Sequence, residues 1–294
     1  MNEPRSGTES SGDDLLRGVI FMVLGMAVLN AMDAVSKLLT DDFSGIQVAW
    51  ARYTFHLVPL VLLVGPARVR RMLRTVNLWA QILRSTSLAV SAVFIILAFS
   101  QMPLADAIAV SFVAPLMIVA LSVHVLGERV GIHRWVAVVI GFVGMLILVW
   151  PSGEVFEAGT LFALAAAVFW AIGMIMTRQV RGDDPWSTLF FTALVGTVLI
   201  SLAVPYFWRT PSITAWAMML AMGLLGGIAH TMIIFAFRSA SASILAPYNY
   251  TLLVWATFYG WVLFDELPNL RTTIGAAVIV AAGLYVWYRE RLTK

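Results

Sequence analysis

The chain has 294 residues, of which 61% are hydrophobic and 12% are charged, and its formal net charge is +3. A soluble domain of this length cannot bury so large an apolar fraction, so the composition excludes a soluble protein and indicates a membrane protein. The sequence contains no cysteine, which excludes disulfide and thiol chemistry.

Ten apolar segments of about 20 residues, separated by short polar breaks, predict an all-α polytopic membrane protein with ten transmembrane helices. The segments are too long and too evenly apolar for barrel strands, and helices satisfy their own backbone groups in lipid. In chain order the predicted helices are Leu16 to Leu38, Ile46 to Gly65, Trp79 to Ser100, Leu104 to Leu126, His133 to Trp150, Ala158 to Arg178, Trp186 to Phe207, Ile213 to Phe237, Ser243 to Phe264 and Arg271 to Tyr288.

The ten predicted helices divide into two sets of five, which predicts one repeat over residues 15–151 and a second over 157–289. Residues 1–14 are expected to form a disordered cytoplasmic tail, and 290–294 a second cytoplasmic tail. Because five is odd, the second set enters the membrane from the opposite side. Two inverted five-helix repeats result, an arrangement that many transporters use.

A few residues recur between the two halves. Gly18, Phe21 and Lys37 recur 141 residues later as Gly159, Phe162 and Arg178, and Phe99 and Glu128 recur 138 residues later as Phe237 and Glu266. The identity is sparse, so the helix count carries the prediction of a repeat. A duplicated scaffold without a cavity is the alternative interpretation.

The basic residues predict the orientation of the chain. With the N-terminus in the cytoplasm, Lys37, Arg209 and Arg271 fall outside, Arg52 lies within a helix, and the other 15 of the 19 Lys and Arg fall inside. This asymmetry places both termini in the cytoplasm, in the inner membrane of the cell. The positive charge is therefore a topology signal, the bilayer is the partner, and no nucleic-acid partner is expected.

Several motifs resemble those of a known family. They are the turn Leu126-Gly127-Glu128-Arg129 and the pair Arg134-Trp135 with Gly141-Phe142-Val143-Gly144. They are similar to the EamA family of the drug/metabolite transporter superfamily. The resemblance implies a ten-helix fold in which helices one to four and six to nine surround a cavity. Helices five and ten would then lie at the periphery.

Finer motifs are similar to one subgroup, the S-adenosylmethionine uptake and riboflavin-type transporters. These motifs are Met32-Asp33-Ala34-Val35-Ser36-Lys37, Arg52, Ile82-Leu83-Arg84 and Ala246-Pro247-Tyr248-Asn249-Tyr250. Where that subgroup often carries Arg between the two aromatic residues of helix nine, this chain has Asn249.

Charged side chains within the first two helices predict a substrate site. Asp33 and Arg52 lie at similar depths on adjacent antiparallel helices, which predicts an ion pair inside the membrane. Lys37 and His56, each four residues away, would extend the pair. Asn30 adds a polar group one turn deeper. A pair that only fixes helix register is the alternative.

Two further polar residues are ambiguous. Arg84, near the inner surface, either captures an anionic group of the substrate or extends its charged end to the interface. His230 on helix eight is either a neutral, hydrogen-bonded histidine or a cavity ligand and proton acceptor.

Helix nine carries an aromatic stripe that predicts a wall for binding a flat ring. Residues three or four apart share one face, and tyrosine and tryptophan carry polar atoms that lipid would leave unpaired. Pro247, near the inner start of this helix, is expected to leave a neighbouring carbonyl free or to bend the helix. Trp170 in helix six is the candidate facing ring. The stripe with its flanking residues comprises Tyr248, Asn249, Tyr250, Thr251, Trp255 and Tyr259. Plain core packing is the alternative.

The motifs of zinc proteases, nucleotide-binding loops and cysteine clusters are missing, so no catalytic residue, metal ligand or cofactor is predicted. The predicted function is secondary transport of a small polar or amphipathic metabolite by alternating access, with S-adenosylmethionine or a riboflavin-like heterocycle as candidate substrates. Coupling to a substrate gradient, to exchange or to protons stays open.

Three alternatives stay open at this point: an exporter of amino acids or related metabolites, a membrane-embedded enzyme or accessory subunit for lipid-linked intermediates, and a scaffold that does not transport. The small-residue spacing of Gly141 and Gly144 also predicts a possible homodimer through the peripheral helices.

Overall fold

The computed structural model describes residues 12–126, 131–148, 158–240 and 242–292, and these are almost entirely helical. Two 3₁₀ turns interrupt the helices, one at Val204–Phe207 after α8 and one at Ala246–Tyr250 between α10 and α11. The α-helices are α1 (Gly12–Leu39), α2 (Gly45–Met72), α3 (Leu78–Phe99), α4 (Leu104–Ser111), α5 (Ala114–Leu126), α6 (Ile132–Leu148), α7 (Ala158–Gln179), α8 (Pro185–Ala203), α9 (Ile213–Ser239), α10 (Ala242–Leu245), α11 (Thr251–Phe264) and α12 (Leu270–Leu292).

Among the residues that the structure describes, seven helical stretches are long and apolar enough to cross a membrane, which agrees with a polytopic membrane protein. They are Asp14–Leu39, Leu78–Phe99, Leu104–Val123, Ala158–Gln179, Pro185–Phe207, Ile213–Ser239 and Leu270–Arg289. Two helix ends reach into the predicted tails, because α1 begins at Gly12 and α12 continues to Leu292. Residues 1–11 and 293–294 of those tails lie outside the described residues.

Helix α2 bends at Gly65 and does not end there as predicted. Gly65 has φ 74° and ψ 166°, a conformation that glycine adopts readily because it has no Cβ. The chain resumes the helix after this residue and continues to Met72. The basic end of α2 is therefore part of a bent helix.

The fourth predicted helix is broken into α4 and α5 at Phe112 and Val113, and the ninth is broken between α10 and α11. Each break lies next to a proline, Pro115 or Pro247, whose nitrogen carries no hydrogen for the helical bond. The second break contains a 3₁₀ turn, which agrees with an irregular helix at Pro247 but goes further than the expected bend. The two breaks lie at corresponding positions of the two halves. Phe112 in the first break and Tyr250 in the second are 138 residues apart, the same offset as between Phe99 and Phe237.

Eight helical segments contact one another in a closed ring, in the order α11, α1, α9, α2, α8, α3, α7 and then α5 with α4, which returns to α11. The ring agrees with the surround of helices that the family resemblance implies. Helices α6 and α12 contact each other outside the ring, as expected for the peripheral pair.

The pairing of helices is the same when the two halves are exchanged. Contact of α1 with α9 corresponds to contact of α7 with α3, and contact of α2 with α9 corresponds to contact of α8 with α3. A Cβ on Gly18 would touch Ala240 at 2.9 Å, and one on Gly159 would touch Gln101 at 3.0 Å and Met102 at 3.3 Å. The recurring glycines thus fit against corresponding turns in the two halves.

The small-residue face of α6 is used within the chain. A Cβ on Gly144 would meet Val278 and Ile279 of α12 within 3.0 Å, and one on Gly141 would overlap Leu116 of α5. These two glycines therefore pack against α5 and α12 of the same chain. A homodimer through the peripheral helices stays a prediction.

The core is densest toward the end of the bundle that holds the C-terminus of α1, here called the Lys37 end. Buried residues of α1, α2, α3, α4 and α9 form one cluster there, which includes Leu39, Val48, Ile96, Leu104 and Met219. Gln47 also exchanges two hydrogen bonds with the backbone of Arg209, at 2.7 and 2.9 Å, and so joins the turn before α9 to α2. The opposite end is called the Arg84 end.

Candidate functional site

Asp33 and Arg52 form the predicted ion pair. Arg52 Nη1 donates to Asp33 Oδ1 at 3.0 Å, and both residues lie within helices, α1 and α2. The exposed fractions of the side chains are 9% for Asp33 and 19% for Arg52. The sequence-based pairing is therefore confirmed, and the arginine is the more accessible partner.

Coordination of this pair is incomplete. Arginine offers five N–H donors, and a carboxylate accepts at both oxygens. In the described part of the chain, one hydrogen bond joins Arg52 to Asp33 and no others reach either side chain. Asn30, one turn away on α1, is fully buried; its Nδ2 donates to the carbonyl of Leu252 at 3.0 Å, and its Oδ1 has no partner among the described residues.

His56 lies one turn beyond Arg52 on α2 and faces His230 of α9. The two ring centroids are 5.6 Å apart. His230 Nδ1 lies 2.8 Å from the carbonyl oxygen of Gly226, so this nitrogen carries the donated proton and Nε2 is left as an acceptor when the ring is neutral. The hydrogen-bonded interpretation of His230 agrees with this contact.

A cavity of about 490 Å³ lies beside His56, between α2, α8 and α9. Its walls are mostly apolar, and its polar side chains include His56 and Thr231. Gly223 and Gly227 of α9 also line it, so small residues leave room for the space. A mostly apolar cavity with a few polar groups is typical of small-molecule sites.

Lys37 does not extend the Asp33–Arg52 pair, and that prediction is wrong. Its Nζ lies 2.8 and 2.7 Å from the two carboxylate oxygens of Glu266 and donates to the carbonyl of Met102 at 3.0 Å. The ring of Phe264 lies 4.9 Å from the ammonium group. Lys37 therefore joins α1 to the turns before α4 and α12.

The turn after α11 orients Glu266 toward Lys37. Asp265 adopts a left-handed conformation with φ 54°, and its N–H bonds to the carbonyl of Trp261 at 3.1 Å, which ends the helix. Glu266 Oε2 also lies 3.4 Å from the backbone nitrogen of Leu104. From the sequence, Glu266 was noted only as the counterpart of Glu128, and no partner on α1 was predicted for it.

Arg84 is buried and does not extend to the membrane interface, so that interpretation is wrong. Its guanidinium donates to Thr177 Oγ1 at 2.8 Å, to Thr192 Oγ1 at 2.6 Å and to the carbonyl of Thr188 at 3.3 Å. These partners on α7 and α8 are neutral. In the described ranges no carboxylate balances its charge, which leaves the interpretation as an anion site open.

A carboxylate joins two turns at the Arg84 end. Asp183, between α7 and α8, accepts hydrogen bonds from Thr75 Oγ1 at 2.5 Å, Val76 N at 2.7 Å and Gln81 Nε2 at 2.7 Å. Burial opposes ionisation of this group, but the three hydrogen bonds to the charged form hold the pKa of Asp183 below its ordinary value.

The aromatic residues of the ninth predicted helix separate into two groups. Tyr248 and Trp255 are half-buried and pack against the cluster that includes Met22 and Met26 of α1. Tyr259 stacks near Trp255, with centroids 6.5 Å apart, and packs against the main core. These aromatic side chains thus pack at the contact between α11 and α1. Asn249 is half-buried in the 3₁₀ turn.

Tyr250 points away from the other aromatic residues. Its ring stacks on Phe112 with centroids 5.4 Å apart, and its hydroxyl occupies the space where a side chain at Gly283 of α12 would lie. This contact assigns Tyr250 to packing between the broken helices and α12. Its role as a residue that lines the site stays a prediction.

Trp170 lies on α7 between residues that pack on α3 and a residue that packs on the α5 cluster. One turn away, Ala166 and Gly173 pack against Ser91 and Leu88 of α3. Ala167 packs with the α5 cluster on the other flank. Trp170 lies between these packed faces and is 46% exposed, so neither neighbouring helix covers its ring. Its role as the facing ring stays a prediction.

The breaks in the fourth and ninth predicted helices bring Phe112 and Tyr250 together. The first break was not predicted, although Pro115 in the middle of an apolar segment was a usable signal. Paired interruptions at corresponding positions of two halves are typical of transporter folds built from repeats.

Comparison with known proteins identifies the family of the chain and proteins with a similar sequence or fold. The sequence model of the EamA-like transporter family matches the chain twice, at residues 16–150 and 157–288. An S-adenosylmethionine uptake transporter of Rickettsia bellii is 30% identical over 278 residues, 93% of this chain and 94% of that protein. A riboflavin transporter of Vibrio cholerae is 26% identical over 277 residues, 92% and 93% of the two chains. One solved crystal structure has a similar fold, with a TM-score of 0.64, 20% sequence identity and coverage of 96% and 99%.

Proposed function

This chain belongs to the EamA-like transporter family, and from this membership we propose that it carries a small heterocyclic metabolite across the membrane without using ATP. It is a multi-pass membrane transporter and not an enzyme. S-Adenosylmethionine is the first candidate substrate and a riboflavin-like ring the second. The names of relatives at 26–30% identity support a substrate of this class.

The proposed architecture has ten membrane crossings in two inverted repeats, residues 15–151 and 157–289. The two family matches and the exchange-symmetric pairing of helices support the repeats. The distribution of Lys and Arg supports an inner-membrane location with both termini in the cytoplasm. In that orientation the Lys37 end faces outward and the Arg84 end faces the cytoplasm.

The proposed substrate site lies inside the ring of eight helical segments. Polar contacts would come from the Asp33–Arg52 pair, Asn30, His56, His230 and Asn249, and ring contacts from Trp170, Tyr248, Trp255 and Tyr259. Arg84 would attract an anionic group from the cytoplasmic side. Support comes from the incomplete coordination of Arg52 and from the cavity beside His56.

Alternating access is the proposed mechanism. The dense core and the contact of Lys37 with Glu266 close one end of the ring. Transport requires this contact to break as the α3–α4 and α9–α10 hairpins move, since Lys37 also bonds to Met102 in the first hairpin. The observation that carries the proposal is a pair of broken helices at corresponding positions in a two-repeat family.

Uptake into sealed vesicles tests the proposal. Purified protein in lipid vesicles without ATP should take up labelled S-adenosylmethionine in a saturable manner, and excess unlabelled solute should compete. Protein-free vesicles give the background. If neither S-adenosylmethionine nor riboflavin enters above background in either orientation of the gradient, the proposed function is wrong.

A further inference from the structure

We propose that Asp33, Asn30 and Arg52 bind the α-amino-acid group of a solute, its ammonium against α1 and its carboxylate against Arg52. This inference rests on the proposed function, and it assigns the group by which the site recognises a substrate. A solute that carries both charges replaces the internal ion pair with two new ones.

The ammonium would bind to acceptors on α1. Asp33 uses one carboxylate oxygen for Arg52, and its second oxygen has no hydrogen-bond partner among residues the structure describes. Asn30 Oδ1 is buried and equally unpaired there. Asn30 and Asp33 are three residues apart and share one helix face, roughly 5–6 Å between Cβ atoms, a spacing that one ammonium with three donors can bridge.

The carboxylate would bind to Arg52. The guanidinium is planar and presents paired N–H groups that match a carboxylate with two parallel bonds. Here it makes one contact with Asp33, at 3.0 Å, and its side chain is 19% exposed. The donors that Asp33 leaves unused are therefore available to an incoming carboxylate.

Charge balance explains why both groups are needed. The Asp33–Arg52 pair is neutral as a unit and lies inside the bundle, where a lone charge is expensive. A solute with only a carboxylate or only an ammonium would add one unbalanced charge. A zwitterionic group keeps the sum at zero while it completes the coordination of both residues.

The same contacts connect binding to the broken helix. Asn30 Nδ2 donates to the carbonyl of Leu252 at 3.0 Å, in the first turn of α11 after the 3₁₀ turn. A ligand that binds Asn30 Oδ1 therefore contacts the side chain that holds α1 against α11. Occupancy of the amino-acid site is thereby transmitted to a mobile hairpin of the proposed mechanism.

Ligand pairs test the inference on wild-type protein. Binding is measured by thermal stabilisation, since a ligand of the folded form raises its melting temperature. The probes are S-adenosylmethionine, decarboxylated S-adenosylmethionine, which lacks only the carboxylate, and 5′-methylthioadenosine, which lacks the amino-acid group and the positive charge of the sulfonium. We expect binding to weaken at least tenfold at each removal. Equal binding of all three would overturn the inference, and so would the absence of stabilisation by any of them.

Variants then assign the residues. In Arg52→Gln, the preference for S-adenosylmethionine over its decarboxylated form should disappear, whereas Arg70→Gln, which changes an exposed arginine on the same helix, should retain it. Arg52→Lys provides a second variant if Arg52→Gln does not fold, with the preference reduced. Retention of the full preference in both Arg52 variants contradicts the assignment. If riboflavin is transported and no amino-acid probe binds, the transporter proposal stands and this inference fails.

Discussion

At the residue scale, placing the Asp33–Arg52 ion pair inside the bundle costs free energy, and the single hydrogen bond within the pair offsets only part of that cost. Insertion of each charged side chain costs about 2.5–3.5 kcal/mol at the centre of a helix in lipid. A single 3.0 Å hydrogen bond joins Arg52 to Asp33, where a two-bond contact would hold the pair more strongly. The unused bonding capacity is consistent with a solute as the third partner.

The sequence identified this pair because the two helices are adjacent in the chain and joined by a short turn. Lys37 was assigned wrongly because its partner, Glu266, is 229 residues away, and helix spacing gives no information about such distant contacts. Arg84 was placed at the interface for a similar reason, since its threonine partners belong to the other half of the chain.

Replacement of Trp170 by alanine tests the ring contact. Trp170→Ala should weaken binding of S-adenosylmethionine about fivefold, because an aromatic contact is worth ~1 kcal/mol beyond area burial. Thermal stability without ligand should change little, since the ring is 46% exposed. Trp79→Ala, which removes a ring 72% exposed at the start of α3, is the control and should leave binding unchanged. Equal affinity in both variants would contradict the assignment of Trp170.

The contribution of the Asp183 carboxylate to the stability of the folded protein depends on pH. Because its folded-state pKa lies below the value of the unfolded chain, its contribution is complete above the unfolded pKa and is lost as pH falls through the folded pKa. Asp183→Asn should lower stability by about 1 kcal/mol at neutral pH. Its melting temperature should converge with that of wild type in acid.

Melting curves from neutral to acidic pH check this expectation. Asp41→Asn, a change of an exposed residue in the turn after α1, serves as the control and should follow wild type throughout. A constant difference between Asp183→Asn and wild type at every pH would show that charge does not stabilise the contact.

At the element scale, apolar segment length predicted the positions of the helices well and their interruptions less well. The bend at Gly65 and the break at Pro247 both follow from residue types that disfavour regular helix. The break before Pro115 was missed because uniform hydrophobicity continues through it. Interruptions in membrane helices depend on neighbours that satisfy the freed backbone groups, and a local pattern does not reveal those neighbours.

Close approach of α9 to α2 depends on one glycine. A Cβ at Gly223 would overlap the backbone carbonyl of Phe55, whereas one at Gly227, a turn later, would meet nothing within 4 Å. Gly223→Ala should destabilise the protein by about 1–3 kcal/mol, because overpacking displaces the two helices.

The matched variant Gly227→Ala should be neutral or stabilising by up to about 1 kcal/mol, the gain in helix propensity. Thermal unfolding in detergent measures both variants. Similar stabilities for the two alanine variants would contradict the close packing of α9 on α2.

At the scale of the whole molecule, the count of five and five predicted two similar halves, but it did not give the neighbours of each helix. The ring places α1 beside α9 and α3 beside α7, so each half supplies alternate parts of one wall. Such contacts between the halves depend on how individual side chains fit together, as Leu88 fits against Gly173. The pattern of apolar segments along the chain does not reveal which helices make these contacts. The peripheral location of α6 and α12 followed from family resemblance and not from their composition.

A ring with one dense end implies that solute movement requires the Lys37 end to open. The chain has no cysteine, so a variant with cysteine at Lys37 and Glu266 reacts only at those two positions. A short bifunctional thiol reagent then ties α1 to the turn after α11. This variant separates binding from transport, because the tie blocks one end and leaves the binding residues intact.

The most direct test measures S-adenosylmethionine uptake and binding by this double-cysteine variant before and after cross-linking. We predict that cross-linking abolishes uptake into vesicles while binding measured in detergent remains within about twofold, and that cleavage of the cross-link restores uptake. Uptake at an undiminished rate through the cross-linked protein would contradict alternating access through this ring.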